Sequence, residues 1–171
     1  EALVCEGANF SRAAHLRTFA LPGGDRAVRE PRRSALGVLF EIMGEQGVQQ
    51  TLAEHVGCGG ADWFSESELK ILLSLLARSV HAPRTSSMGR LFDAVAALCG
   101  LPAVISFEGQ AAMALEFAAD WAEDDAYPLP LSDDVPAVAD WEPLVRAALA
   151  DRSAGVPVGR ISARFHNALA D

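Results

Sequence analysis

The feature that most constrains this chain is the stretch Thr85-Ser86-Ser87-Met88-Gly89-Arg90-Leu91-Phe92-Asp93-Ala94-Val95-Ala96-Ala97-Leu98-Cys99-Gly100. Ser86 or Ser87 can cap a helix N-terminus, and Met88, Leu91, Phe92, Val95, Leu98 and Cys99 then recur at helical spacing. Gly100 stands where a left-handed C-cap is expected, so the stretch reads as a helix of about three turns. Winding it leaves Ser86, Gly89, Asp93, Ala96 and Ala97 on the opposite side. A single carboxylate there stands among side chains small enough for a ligand to approach the backbone. A solvent face with one Asp is also what an ordinary amphipathic helix shows.

The other helices are announced in the same way. Trp63-Phe64 precedes Ser65-Glu66-Ser67-Glu68, a Ser-x-x-Glu capping box, and Leu69, Leu72, Leu73, Leu76 and Val80 continue the period. Pro31 should begin a helix running to about Met43, after a short turn at Asp25 to Glu30 capped by Asp25, with Leu36, Val38, Leu39, Phe40 and Ile42 buried. Gly44 and Gly47 mark a break, and Val48 to Val56 reads as a further short helix before the loop Gly57-Cys58-Gly59-Gly60. Ser106 is expected to cap a long Ala-rich helix to about Trp121, with Phe107, Met113 and Phe117 in the core. Gly109 in its first turn is unusual, because glycine costs about 1 kcal/mol relative to alanine inside a helix, and it suggests close approach by another group. Asp140 should cap a helix carrying Trp141, Leu144, Val145, Ala148 and Leu149, and a last helix from near Pro157 carries Ile161, Phe165 and Leu169, with His166 facing outward.

Strand signals are confined to the start. Ala2-Leu3-Val4-Cys5 and Phe10 to Leu21 flank the turn Gly7-Ala8-Asn9 and are expected to form a hairpin that extends a sheet continued outside this chain. Pro22-Gly23-Gly24 ends it as plain turn chemistry, with a phosphate-cradling turn as the less favoured reading. The fold class expected is therefore mainly α with a short N-terminal β-hairpin, in one partial domain: residues 1–22 the hairpin, residues 25–171 helical.

Charge narrows the functions available. With 14 basic against 23 acidic residues the net charge is −9, which disfavours nucleic acid or an anionic membrane as principal partner. No Lys or Arg occurs from Leu91 to Val145, where Glu116, Asp120, Glu123, Asp124, Asp125, Asp133, Asp134, Asp140 and Glu142 accumulate. That run reads as a solvated acidic face. Arg26, Arg29, Arg32 and Arg33 gather instead at a helix start, where the dipole disfavours cations and a compensating anion is needed, from a ligand or from acidic neighbours. Cys5, Cys58 and Cys99 have no Cys-x-x-Cys spacing and fit reduced thiols in a cytoplasmic protein, with Cys99 in the core. His15, His55, His81 and His166 are far apart and lack metal-ligand spacing. The chain begins at Glu1 without a basic-then-apolar leader or an apolar run near 18 residues, and reads as a piece of a longer protein.

TSSMGRLFDAVAALCGL, followed by Ile105-Ser106-Phe107-Glu108-Gly109-Gln110-Ala111-Ala112, resembles the C-terminal carbamoyltransferase region of the HypF family of hydrogenase maturation proteins. His15-Leu16-Arg17-Thr18-Phe19-Ala20-Leu21-Pro22-Gly23-Gly24-Asp25 with Arg29-Glu30-Pro31, and Ile161-Ser162-Ala163-Arg164-Phe165-His166-Asn167, keep the order of that family. The Gly-x-x-Phe-Asp core also resembles the family that makes threonylcarbamoyl-adenosine on tRNA. The resemblance implies the helical portion of one lobe of a sugar-kinase and heat-shock-ATPase-like α/β domain. It implies an adenine nucleotide, ATP or carbamoyl-adenylate, shared with segments outside this chain, and a metal ion whose ligands also lie outside it. Asp93 would accept from a ribose hydroxyl, the Glu108-Gly109 corner would pack near the same nucleotide, and Gly89 and Ser86 would line the same face. The whole enzyme would use carbamoyl phosphate and ATP to carbamoylate the terminal cysteine of a HypE-like acceptor protein on the route to nickel-iron hydrogenase, while this piece alone would be inactive. Two alternatives stand beside it: a non-enzymatic helical interaction module, and a relative that carbamoylates a small metabolite. Apolar surface left bare by absent segments would favour dimers.

Overall fold

A computed structural model describes residues 1–55 and 63–170. The chain forms strands β1 (Ala2–Glu6), β2 (Asn9–Leu16) and β3 (Phe19–Ala20), a 3₁₀ turn (Gly24–Val28), helices α1 (Pro31–His55) and α2 (Glu66–Arg78), and strand β4 (Arg84–Thr85). Helices α3 (Met88–Leu98) and α4 (Gln110–Ala118), strand β5 (Ala137–Ala139) and helices α5 (Glu142–Ser153) and α6 (Val158–Ala170) complete it. Among the described residues no helix is long and apolar enough to cross a membrane.

The serine caps at α2 and α3 act as expected, whereas those expected at Asp25 and Ser106 do not. Ser65 Oγ accepts from the Glu68 amide at α2, and Ser87, not Ser86, accepts from the Arg90 amide at α3. Gly100 closes α3 with φ 83°. The chain enters α1 at Pro31, and Gly44 leaves helical geometry (φ 67°, ψ −174°), dividing α1 at the expected break. The short helix expected to Val56 is the second segment of α1, as far as His55; the loop Gly57–Gly60 with Cys58 lies outside the described residues.

Burial is organised around α3, which packs most extensively on α1 and then on α4, while α6 receives α4 and α5. Leu36, Val38 and Leu39 of α1, Leu91, Ala94 and Val95 of α3, and Leu144, Ile161 and Phe165 of α5 and α6 are fully enclosed. Each enclosed aliphatic or aromatic side chain contributes about 1.5–3 kcal/mol relative to exposure, so this interior is the main source of stability. Cys99 is in the core, as expected, and burial pushes its thiol up to about 12.

The strands depart from expectation. Instead of one strand to Leu21, β2 stops at Leu16 because Arg17 is claimed by the far end of the chain. Its amide donates to Ala139 O at 2.9 Å, its carbonyl accepts from Trp141 Nε1 at 2.6 Å, and its guanidinium pairs with Glu142 and Asp140. Phe19 then meets the edge of Trp141, with ring centroids 5.6 Å apart, and β3 pairs antiparallel with β4. The hairpin is extended within this chain by β5, parallel to β2 in the order β1-β2-β5. The Tyr127 hydroxyl donates to Asp151 at 2.7 Å.

Four further expectations are corrected. The helix expected from Ser106 begins at Gln110, because Gly109 takes φ 85° and turns the chain, while Gln110 Oε1 accepts from the Ser106 amide at 2.7 Å. Only Ala111 and Leu115 of α4 are buried, so Phe107, Met113 and Phe117 lie on the surface, with Trp121 beside them in that class. The acidic run is not wholly a solvated face: Arg160 and Arg164, later in the chain, pair with Glu123, and Arg164 also reaches Asp125 and Asp151. Finally, His166 does not point outward. It is half-buried among Phe92, Trp121 and Phe165, with Nδ1 2.8 Å from Ser162 O.

Gly37 sits where α1 crosses β3, and a Cβ there would lie 1.9 Å from Ala20 O. Because that obstacle is backbone, Gly37→Ala should destabilise the chain by about 3 kcal/mol through overpacking. Urea denaturation checks this, and a midpoint equal to that of the wild type would show the helix free to move off the strand.

Candidate functional site

The site is built where the N-termini of α3 and α4 meet the 3₁₀ turn. Ser87 starts α3 and brings Arg90 into its first turn, one residue after the exposed Gly89. Arg90 is 7% exposed, and its Nη1 lies 2.9 Å from Asp93 Oδ2, one helical turn further on. The same nitrogen is 3.4 Å from Ala27 O in the 3₁₀ turn, while Nη2 is 4.0 Å from Glu108 Oε1. Thus the two carboxylates singled out in sequence, Asp93 and Glu108, are brought together through an arginine that was not.

Asp93 is 1% exposed. Neither of its oxygens receives an aligned hydrogen bond, despite the short approach of Arg90. Burial pushes the carboxyl up to about 6; Arg90 pulls it down, and the charge of Glu108 adds to the rise. Such a group is anomalous, since buried polar atoms are satisfied in the great majority of cases.

The face expected to be open along α3 is therefore closed. Ala96 and Ala97 are buried with Asp93, because small side chains on that side let neighbouring helices approach closely. Only the first turn remains accessible: Met88 and Gly89 are exposed, and Ser86 is half-buried ahead of the cap, with no hydrogen bond to the Arg90 cluster. Around α4, the Glu108 side chain is 80% exposed and nothing lies within 4 Å of where a Gly109 Cβ would stand. Gly109 is required by its positive φ in any case. The signal that could have disclosed Arg90 is its i, i+3 spacing to Asp93.

In the other arginine group, Arg32 and Arg33 are compensated by acidic neighbours. Arg33, 4% exposed, pairs with Glu30 at 2.8 Å and Glu68 at 2.9 Å, and Arg32 pairs with Glu30, donates to Trp63 O and lies over the Phe64 ring. Burial works against the Glu30 charge, but hydrogen bonds from Arg33 and Arg32 outweigh it and hold the carboxyl below its ordinary value. Asp25 does not cap the 3₁₀ turn; Gly23 takes that position at φ 84° without a side-chain bond. Among the described residues, no group of three or more His, Cys, Asp or Glu is placed to hold a metal ion.

The family model described as "Carbamoyltransferase, Kae1-like Domain, second subdomain" matches residues 1–171. The chain is 38% identical over 170 residues to Carbamoyltransferase HypF of Synechocystis sp., covering 94% of this chain and 22% of that one. It is 33% identical over 177 residues to a Carbamoyltransferase HypF homolog of Cupriavidus necator, covering 100% of this chain and 43% of that one. A crystal structure of full-length HypF in the phosphate- and nucleotide-bound form superposes with a TM-score of 0.83 at 35% identity, covering 96% of this chain and 20% of that chain. The structure of HypF from T. kodakarensis matches with a TM-score of 0.76 at 27% identity, covering 94% and 21%. The chain belongs to the HypF carbamoyltransferase family and forms part of its Kae1-like α/β domain. It spans less than half the length of these relatives.

The raised carboxyl gives a signed expectation. A folded-state value above the unfolded one favours the protonated folded form, so stability from this group is full below about pH 4 and lost as pH rises through about 6. Asp93→Asn should remove that loss, gaining about 2 kcal/mol on the wild type between pH 4 and 7. Urea midpoints across that range measure the difference, and parallel curves would contradict the assignment.

Proposed function

We propose that this chain supplies one wall of the nucleotide site of a HypF-type enzyme, which carbamoylates the terminal cysteine of a HypE-like acceptor protein in nickel-iron hydrogenase maturation. The substrates are carbamoyl phosphate and ATP, with carbamoyl-adenylate as the activated form. The observation carrying the reading is Asp93: a buried carboxylate without an aligned donor, beside Arg90, which also reaches toward Glu108, with Gly89 one helical turn earlier on α3 and Gly109 next to Glu108 in sequence. A carboxylate accepts only, so a pair of vicinal ribose hydroxyls would satisfy both oxygens. Glu108-Gly109 at the start of α4 would lie along the sugar or base, since a position without a side chain admits a flat ring. Support comes from membership of the family and from the likeness to a full-length HypF that was crystallised with nucleotide bound.

None of the described residues is placed to supply the transfer itself. Among the described residues the only cysteines are the exposed Cys5 and the buried Cys99, and burial leaves the latter a poor nucleophile. By the family likeness, a metal ion used by the full-length enzyme would be held by residues outside this chain. The role left to this chain is binding and orientation, which alone can account for a large share of a rate enhancement.

Asp93→Ala in the full-length enzyme should weaken adenine-nucleotide binding by at least tenfold, for two lost hydrogen bonds to a charged acceptor, with carbamoyl transfer falling in parallel. Isothermal titration with ATP measures the first effect. Unchanged affinity in a folded variant would remove Asp93 from the site.

The surface around α4 bears on the chain in isolation. Phe107 (53% exposed), Phe117 (79%) and Trp121 (63%) are apolar groups that a monomer rarely displays together. The chain by itself should self-associate in sedimentation experiments, and Phe117→Asp should shift it toward monomer; a wild-type monomer at all concentrations would contradict this.

A further inference from the structure

We propose that Arg90 is a gate on Asp93: its guanidinium occupies the carboxylate while the site is empty and must transfer to Glu108 when a nucleoside enters. The inference rests on the nucleotide reading and adds to it a residue that opposes binding until it is re-paired.

The geometry sets out both ends of the movement. Arg90 Nη1 is 2.9 Å from Asp93 Oδ2, and Nη2 is 4.0 Å from Glu108 Oε1. Asp93 is enclosed, whereas the Glu108 side chain is 80% exposed, so the approach to Asp93 from the solvent side of Glu108 passes the guanidinium. Arg90 is held loosely for a buried arginine. Its contact with Asp93 is short but not an aligned hydrogen bond, and its bond to Ala27 O is long, at 3.4 Å. It also lies in the first turn of α3, where the helix dipole disfavours a cation.

Displacement has a chemical consequence that the surroundings answer. A guanidinium driven off Asp93 and left unpaired in a buried site would be strongly unfavourable. Glu108 lies within about one ångström of contact distance and, being exposed, can rotate to meet it. The exchange keeps Arg90 paired in both states while Asp93 passes from an ion pair to hydroxyl donors. Hydroxyl-bearing ligands are selected, since a ligand without donors gains nothing at Asp93 to offset loss of the pair.

The experiment is ATP titration of the full-length enzyme carrying Arg90→Gln, Glu108→Gln, both changes, or Asp93→Ala, with circular dichroism to confirm folding. Arg90→Gln removes the competitor and should tighten binding at least threefold. Glu108→Gln removes the receiving carboxylate and should weaken binding at least threefold, but only while Arg90 is present; in the Arg90→Gln background it should have no effect. Arg90→Lys keeps a cation and should bind no more tightly than wild type, which guards against a gain from altered packing alone. Arg90→Gln binding equally or more weakly than wild type, or a Glu108→Gln effect persisting without Arg90, overturns the gate. Unchanged affinity in Asp93→Ala overturns the site itself, so the two failures are separable.

Discussion

The structure depends on the enclosure of α3. This helix is contacted by α1 and α4 along most of its length, and its small residues Ala94, Ala96 and Ala97 permit that closeness. The same enclosure places Arg90 and Asp93 where water does not reach them. Ion pairs taken out of water seldom repay their desolvation unless geometry is excellent, and here Asp93 lacks an aligned donor. The pair is therefore a weak contributor to stability at a position that apolar residues would fill without that cost.

Helices are largely legible in sequence because their ends are written locally. Ser65 with Glu68, Ser87 before Met88, Pro31 at a first turn and Gly100 past a last one each satisfy groups within three or four residues of themselves. Strand β5 is not legible, since Ala137–Ala139 has no alternation of its own and becomes a strand only because β2 presents an edge to it. The end of β2 is equally non-local: Arg17 is bound by Ala139, Asp140, Trp141 and Glu142, over 120 positions away. Helix α4 misleads for another reason. Phe107, Met113 and Phe117 carry the signature of a buried face, yet periodicity reports only that a face is apolar and not which body covers it.

At the site, the residue types are legible and their environment is not. Asp93, Gly89, Glu108 and Gly109 fall near two adjoining helix starts, but a helical wheel that sets Asp93 among alanines cannot tell solvent from a neighbouring helix. Ser86 and Ser87 are equal candidates for the cap by residue type, and Ser87 alone caps. The arginines show the same limit. Arg33 and Arg164 are at the centres of ion networks whose acidic partners come from the residue before α1, from α2, from α5 and from the segment before β5. A net charge of −9 conceals how many carboxylates are already neutralised in space.

These networks differ from the Arg90 cluster in a way that bears on function. Glu30, Glu142 and Glu123 each accept hydrogen bonds from arginines, and each carboxyl is held below its ordinary value. Arginine hydrogen bonds outweigh burial in all three. Asp93 is displaced in the opposite direction, up to about 6, although an arginine nitrogen stands 2.9 Å away. The difference is burial first and alignment second: Asp93 is far more enclosed than the three glutamates, and a guanidinium that merely approaches a carboxylate does not offset that burial as one donating along its N–H bonds would. Three carboxylates of this chain are thus satisfied within the fold. Among the described residues Asp93, at the junction of α3, α4 and the 3₁₀ turn, is the fully buried carboxylate, and neither of its oxygens receives an aligned hydrogen bond.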